Sequence, residues 1–160
     1  MLLILEVIHD PHGGKTSVKL IEIFLIFYLK FRFHITQWKE LVEKYREKVD
    51  FLTVYISEAH PSDGWKMKTN SDMDVCYRQP KTLKSRINIA KSFVEREEFE
   101  DIPFVVDDIT NEGADTYQSL PERIYIIENN RISYRGGLGP IGYKLYEVVG
   151  WVAQYCEANI

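Results

Sequence analysis

Phe51-Leu52-Thr53-Val54-Tyr55-Ile56-Ser57-Glu58-Ala59-His60-Pro61-Ser62-Asp63-Gly64-Trp65 is the stretch on which the reading of this chain turns. Its first six residues are apolar, β-branched or aromatic and follow Asp50, the pattern of a short strand buried on both faces. The turn behind it carries an acid, an imidazole and a hydroxyl. Central parallel strands display their reactive groups in the loops beyond their C-terminal ends. Glu58 and His60 stand two apart there, so both face one cleft if the strand breaks between them. Histidine donates, accepts or carries a proton near neutral pH, and glutamate orients or neutralises it. By itself, a histidine in a His-Pro-Ser-Asp-Gly turn is more often a hydrogen-bonded turn residue than a catalyst. Ser62 and Asp63-Gly64 read as turn formers, and Trp65 reads as core or loop packing.

Upstream, Thr36 to Lys48 carries Trp38, Leu41, Val42 and Tyr45 at helical spacing, with Thr36 as the expected N-cap and Glu40 paired with Lys44. Downstream, Lys66 to Asp74 is polar and irregular and reads as a surface loop. A second helix begins near Lys81, with Leu83, Ile87, Ala90 and Val94 on one face, and Ile102-Pro103 stops it. Phe104-Val105-Val106 reads as a short strand, then a polar loop runs to Leu120. Arg123 to Ile127 and Arg131 to Arg135 read as strands joined through Glu128-Asn129-Asn130, because asparagine tolerates positive φ. Val148, Val152 and Tyr155 mark a final helix, and Ser17 to Ile26 is read as a strand ahead of the rest. Strand-helix alternation followed by a hairpin and a closing helix is a thioredoxin-like α/β arrangement, a mixed sheet flanked by helices on both faces. In that topology the proline before the hairpin's first strand is usually cis, a state costing about 0.5–1 kcal/mol at X-Pro bonds. Pro121 stands in that place.

With 160 residues the chain is long enough for one domain with a real core. A formal charge of −4 offers no basic field for nucleic acid. Cys76 and Cys156 lie far apart without Cys-x-x-Cys spacing, which argues against a disulfide scaffold and against a self-contained dithiol site. Val18 to Phe33 is apolar, yet Lys19, Glu22, Lys30 and Arg32 interrupt it well short of the roughly 20 residues a bilayer span needs; it reads as a strand with an apolar extension. Gly13-Gly14-Lys15-Thr16 lacks the leading glycine and strand of a phosphate-binding loop. His9, Asp10 and His12 lack further ligands at metal-binding spacing, so no metal is expected and the terminus reads as flexible and polar.

The octet Glu58-Ala59-His60-Pro61-Ser62-Asp63-Gly64-Trp65 also resembles the signature of the iodothyronine deiodinases. Leu120-Pro121-Glu122-Arg123-Ile124-Tyr125-Ile126-Ile127, Asn130-Arg131-Ile132-Ser133-Tyr134-Arg135-Gly136-Gly137 and Gly139-Pro140-Ile141-Gly142-Tyr143 resemble that family's C-terminal half, in its order. The likeness runs from about Thr36 to Gln154. It implies reductive removal of iodide from thyroid hormone or a related iodinated phenol, with an external thiol as cosubstrate and no bound cofactor. It implies that the positions of Glu58 and His60 belong to the active site, that Arg123 binds the hormone's polar end with the histidine, and that Pro121 shapes the cleft wall. A guanidinium suits a carboxylate through paired hydrogen bonds. No Asn-x-Ser/Thr acceptor occurs, which fits a chain facing the cytosol; the resemblance implies a homodimer, often with an N-terminal membrane anchor, which this chain's own residues do not support.

The family's nucleophile is a selenocysteine, occasionally a cysteine, at the start of the first helix. Counting back from His60 without gaps, that position falls on Tyr28. A phenol with a reference pKa near 10 and a hard oxygen cannot replace a soft, mostly ionised nucleophile. Cys76-Tyr77-Arg78-Gln79-Pro80 also lacks the histidine that vertebrate members carry near the second helix. The chain therefore divides into an atypical N-terminal segment, 1–35, and a thioredoxin-like deiodinase-type domain, 36–160. Likeness is lost abruptly before Thr36, as expected of a reading frame started or spliced around a selenocysteine codon. The expectation is a deiodinase-like protein that is inactive as written. The alternative is a non-catalytic hormone-binding or dimerisation module; a general thiol or peroxide reductase is weaker, since neither cysteine has a resolving partner.

Overall fold

The computed structural model describes residues 5–9, 18–24, 28–65 and 76–158, with side chains from 34 onward. The strands are β1 (Leu5–His9), β2 (Val18–Phe24), β3 (Asp50–Tyr55), β4 (Phe104–Asp107), β5 (Glu122–Glu128) and β6 (Arg131–Arg135). The helices are α1 (Tyr28–Tyr45), α2 (Leu83–Arg96), α3 (Glu112–Tyr117) and α4 (Leu145–Ala158). They build one six-stranded mixed sheet in the order β1-β4-β3-β2-β5-β6.

β2 runs parallel to β3 and antiparallel to β5, so Ile23 stands between Val54 and Arg123, and Phe24 between Tyr55 and Glu122. β3 also runs parallel to β4. The segment set apart in the sequence as atypical therefore supplies a strand to the middle of the sheet. The β5–β6 hairpin turns through Asn129 (φ 50°) and Asn130 (φ 61°), the left-handed pair expected of a tight turn.

Alternation along the strands sends Phe51, Tyr55, Phe104, Val106, Ile124 and Ile126 into a core shared with α1, α2 and α4. Val54, Ile56, Val105 and Tyr125 point the other way and pack with Ala114 of α3. Helices thus cover both faces, as the thioredoxin-like reading requires. Phe93 is fully buried and sits 5.3 Å from the Phe99 ring and 5.8 Å from the Phe104 ring. Trp38, also fully buried, finds a partner for its indole N–H in Thr53 Oγ1 at 3.2 Å.

Three sequence expectations are corrected. α1 starts at Tyr28 rather than at Thr36, which is an exposed residue inside the helix. No proline or glycine interrupts residues 17–60, and Ile35 extends the buried stripe of Trp38, Leu41 and Val42 by one turn, so the helix continues through what read as an apolar strand extension. His9 closes β1, which pairs antiparallel with β4 (Leu5 opposite Asp107, Val7 opposite Val105), where a flexible terminus was expected. Covering the outer edge of β4 leaves fewer backbone groups unpaired. Asp10, His12 and Gly13-Gly14-Lys15-Thr16 lie outside the described residues, as does the whole Lys66 to Asp74 loop.

The third correction is α3, inside the expected polar loop. The buried Asp107 carboxylate at the end of β4 accepts from Gly113 N at 2.8 Å and Ala114 N at 2.9 Å, giving this short helix its N-terminal partner. A Cβ on Gly113 would lie 2.7 Å from Asp107 Oδ1, so glycine is required there. The buried Arg86 of α2 braces the junction, donating to Asp108 O at 2.6 Å, Asp107 O at 3.2 Å and Asn111 Oδ1 at 2.8 Å.

Replacing Phe93 by alanine removes the ring joining α2 to β4. Urea unfolding is expected to show a loss of about 3–5 kcal/mol; a loss below about 1 kcal/mol would mean that the aromatic cluster is not packed as described.

Candidate active site

β2 and β3 both end at one edge of the sheet, and β5, running the other way, begins there. That edge receives the start of α1 at Tyr28, the 58–65 turn and the segment Pro121 to Arg123. The Leu120–Pro121 peptide is cis, and so is Gly139–Pro140. Gly139 N donates to Glu122 O at 3.0 Å, and a Cβ on Gly139 would fall 2.2 Å from Glu122 Cγ, so the 138–140 loop lies directly on the start of β5.

Glu58 is buried, at 5% exposure. Its Oε1 accepts a hydrogen bond from the Tyr55 hydroxyl. Its backbone N–H donates to Gln79 Oε1 at 2.9 Å, and its carbonyl accepts from Gln79 Nε2 at 3.3 Å. Burial raises the Glu58 pKa to about 7, with the Tyr55 hydrogen bond and the charges of Arg96 and Arg86 opposing it in part. Burial, followed by the charge of Glu58, lifts the Tyr55 phenol well above its usual range.

His60 is buried at 3% exposure. Its Nδ1 lies 2.8 Å from the Trp65 carbonyl oxygen, which only accepts, so the neutral ring carries its proton on Nδ1 and Nε2 is its acceptor nitrogen. The Trp65 ring meets it edge-on at 4.8 Å but remains 78% exposed, so Trp65 is a cover on the histidine rather than a core residue. The turn is laced to the segment before α2: Ser62 N donates to Tyr77 O at 2.7 Å, and Gln79 N to Asp63 Oδ1 at 2.9 Å. That amide hydrogen bond, with Arg78 3.5 Å away, lowers the Asp63 pKa.

Arg123 is half-buried on β5, and its buried Nε and Nη1 have no hydrogen-bond partner among the described residues. By alternation it lies on the Tyr125 side of the sheet, whereas the Glu58 carboxylate meets Tyr55, which points to the opposite face. Glu58, His60 and Arg123 thus share a sheet edge, with Glu58 on the α2 side. Tyr28 opens α1 at the same edge; its side chain lies outside the described residues.

Sequence reasoning missed Tyr55 and Gln79. A tyrosine at a strand end, three residues before an acid, was a usable signal, because a buried phenol requires a partner. Gln79 gave none. Cys76 is half-buried, and Cys156 is buried on α4 with its thiol pKa raised by burial. Among the described residues no cluster of histidine, cysteine and carboxylate side chains could hold a metal, and no helix is long and apolar enough to cross a membrane. A cavity of about 420 Å³ opens beside the turn, lined by Tyr77, Arg78, Gln79, Lys81, Asn88 and Ile89.

Residues 28–156 match the family model for iodothyronine deiodinase. The chain is 38% identical over 127 residues to the thyroxine 5-deiodinase of Bos taurus, covering 79% of this chain and 40% of that protein. It is 36% identical over 118 residues to the type I iodothyronine deiodinase of Xenopus laevis, covering 74% of this chain and 44% of that protein. The chain therefore spans about two-fifths of the length of such relatives. Among solved structures, an uncharacterised thioredoxin-like protein from Porphyromonas gingivalis superposes with a TM-score of 0.56 at 13% identity, over 94% of this chain and 86% of that one. A thioredoxin-like protein in its oxidised form gives a TM-score of 0.51 at 18% identity, over 86% and 78%. These two establish the fold. The family match begins at residue 28, so it reaches further toward the N-terminus than Thr36 and includes all of α1.

The Glu58 carboxyl ionises near 4.5 when unfolded and at about 7 when folded. Between those values the folded chain holds a proton that the unfolded chain has released, so the stability contributed by neutral Glu58 is present below pH 4.5 and lost as pH rises to 7. Urea titrations of wild type and Glu58→Gln are expected to diverge over that range, the wild type losing up to about 3 kcal/mol more. Parallel curves would show that Glu58 is ionised when buried.

Proposed function

The chain belongs to the iodothyronine deiodinase family, and from that premise we propose that it binds an iodothyronine or related iodinated phenol at the edge shared by α1, the 58–65 turn and β5. The observation that carries this reading is the Arg123 guanidinium, with buried N–H groups lacking a partner among the described residues, at the edge that also holds the buried His60. A buried cationic donor left unsatisfied is costly, and a carboxylate on the ligand would remove that cost through charge-assisted hydrogen bonds.

In the complete catalytic form, a soft nucleophile at the start of α1 takes iodine from carbon, a proton goes to the carbon left behind, and two equivalents of thiol restore the nucleophile while forming a disulfide and releasing iodide. His60 contacts the substrate and assists the proton transfer, the Tyr55–Glu58 pair keeps a carboxyl with a pKa of about 7 two residues before it on the α2 side, Arg123 binds the carboxylate end, and Pro121 shapes the wall. Tyr28, at the nucleophile's aligned position, supplies only a phenol, so this chain binds without reducing. A hormone-binding or dimerisation module is the second reading, favoured by the same tyrosine.

Calorimetry with thyroxine is expected to show binding by the wild type that weakens roughly tenfold to a hundredfold in Arg123→Ala and His60→Ala, as for a lost hydrogen bond to a charged group. Equal affinities would remove the site from this edge. With dithiothreitol present, the wild type is expected to release no iodide above a buffer blank, while Tyr28→Cys, which places a thiolate at a helix N-terminus, releases it measurably. Iodide release by the wild type would overturn the assignment of Tyr28 to the nucleophile's position.

A further inference from the structure

We infer that Gln79 is a positioning residue: its side-chain amide holds the backbone of Glu58 and, through it, the turn that carries His60. β3 ends at Tyr55, and its pairings with β2 and β4 end there too. Glu58 is nonetheless buried, and among the described residues no strand pairs with its backbone N–H and C=O. Leaving either group unsatisfied would cost about 1–3 kcal/mol. A primary amide presents one acceptor and one donor in a single plane, as a neighbouring strand's peptide does, and Gln79 uses both on the same residue, at 2.9 and 3.3 Å.

The strap is fixed at its other points as well. Gln79 N is held by Asp63 Oδ1, and Tyr77 O receives Ser62 N, so the segment 77–79 ties the turn on both sides of His60, at Glu58 and at Ser62–Asp63. Pro80 is buried and Thr82 caps α2 through a reciprocal bond with Ser85, which seats the strap on a regular helix. The same helix contributes Arg86 and Arg96, whose charges act on the Glu58 carboxyl, and Arg96 Nη1 reaches the Tyr77 hydroxyl at 3.3 Å. Gln79 therefore couples the position of α2 to the two residues of the turn that the proposed chemistry uses. The consequence for the hormone rests on the deiodinase reading; the hold on Glu58 does not.

The test compares wild type with Gln79→Met, which keeps length without the amide, and with Gln79→Glu, by amide hydrogen exchange at Glu58 and by thyroxine calorimetry. In Gln79→Met, Glu58 exchange is expected to accelerate about tenfold or more while Val54, inside β3, keeps its wild-type protection, and thyroxine affinity to fall about tenfold. Gln79→Glu, whose protonated acid offers the same donor and acceptor, is expected to recover affinity at low pH and lose it as the new carboxyl ionises, beyond any change in the wild type. Among the described residues, the ionisable groups around position 79 and Glu58 are Asp63, Tyr77, Arg78 and Lys81 from the strap and turn, Tyr55 from β3, and Arg86 and Arg96 from α2. Unchanged Glu58 exchange in Gln79→Met overturns the inference, and so does faster exchange with unaltered thyroxine affinity. If wild type fails to bind thyroxine, the functional reading falls and the exchange comparison alone decides the hold on Glu58. If Gln79→Met does not fold, the Glu58 amide of the wild type decides it: protection beyond the end of β3 supports the strap, and free exchange rejects it.

Discussion

Everything at the functional edge depends on β2 lying between a parallel and an antiparallel neighbour. Because β3 runs with β2, the turn after β3 opens where α1 begins; because β5 runs against it, the cis peptide and Arg123 arrive at the same edge from the opposite direction. The register is specific enough to set one residue of β2, Ile23, between Val54 and Arg123. Strands about 4.8 Å apart then put Val54 and Arg123 roughly 10 Å from each other across the sheet. Residues from three distant parts of the sequence thereby share a cleft-sized region, and a one-residue slip of β2 against β5 would turn every β5 side chain to the wrong face relative to it.

Onto that edge the fold loads polar groups at a cost. Glu58, His60, Arg86 and Asp107 are all buried, whereas apolar side chains of similar size would pack there without a desolvation penalty. Their placements differ in purpose. Arg86, through both terminal nitrogens, and Asp107, through both carboxylate oxygens, bond mainly to backbone groups and hold α2, β4 and α3 in a fixed relation. Glu58 keeps a carboxyl near neutrality, with a phenol on its side chain and an amide on its backbone. Arg123 keeps two buried nitrogens, Nε and Nη1, without a hydrogen-bond partner among the described residues. The first pair is architecture and the others have the character of a site, where perturbed acids and unpaired cations collect.

The sequence was most legible where one local signal sufficed. The unbroken apolar run before Glu58, the paired asparagines of the hairpin and the Leu83-Ile87-Ala90-Val94 stripe each specify their element without help from elsewhere. It was least legible where a distant partner decides the outcome. α3 depends on a carboxylate from the end of β4, β1 on the edge of β4, and α1, from Ile35 onward, on a core whose other members come from α2 and α4. The site divides the same way: His60 and Glu58 stand out in a turn, while Gln79 gains its role only when a loop twenty residues on folds back against Glu58. Arg123 was picked by family likeness, and its unsatisfied N–H groups are a fact of three dimensions alone.

A crystal structure of the chain with thyroxine bears most directly on the shared edge. The expected complex has the hormone's carboxylate on Nε and Nη1 of Arg123, His60 within hydrogen-bonding distance of the ligand, and an iodinated ring turned toward the first residue of α1. Thyroxine bound elsewhere, with the Arg123 guanidinium turned into solvent, would contradict it.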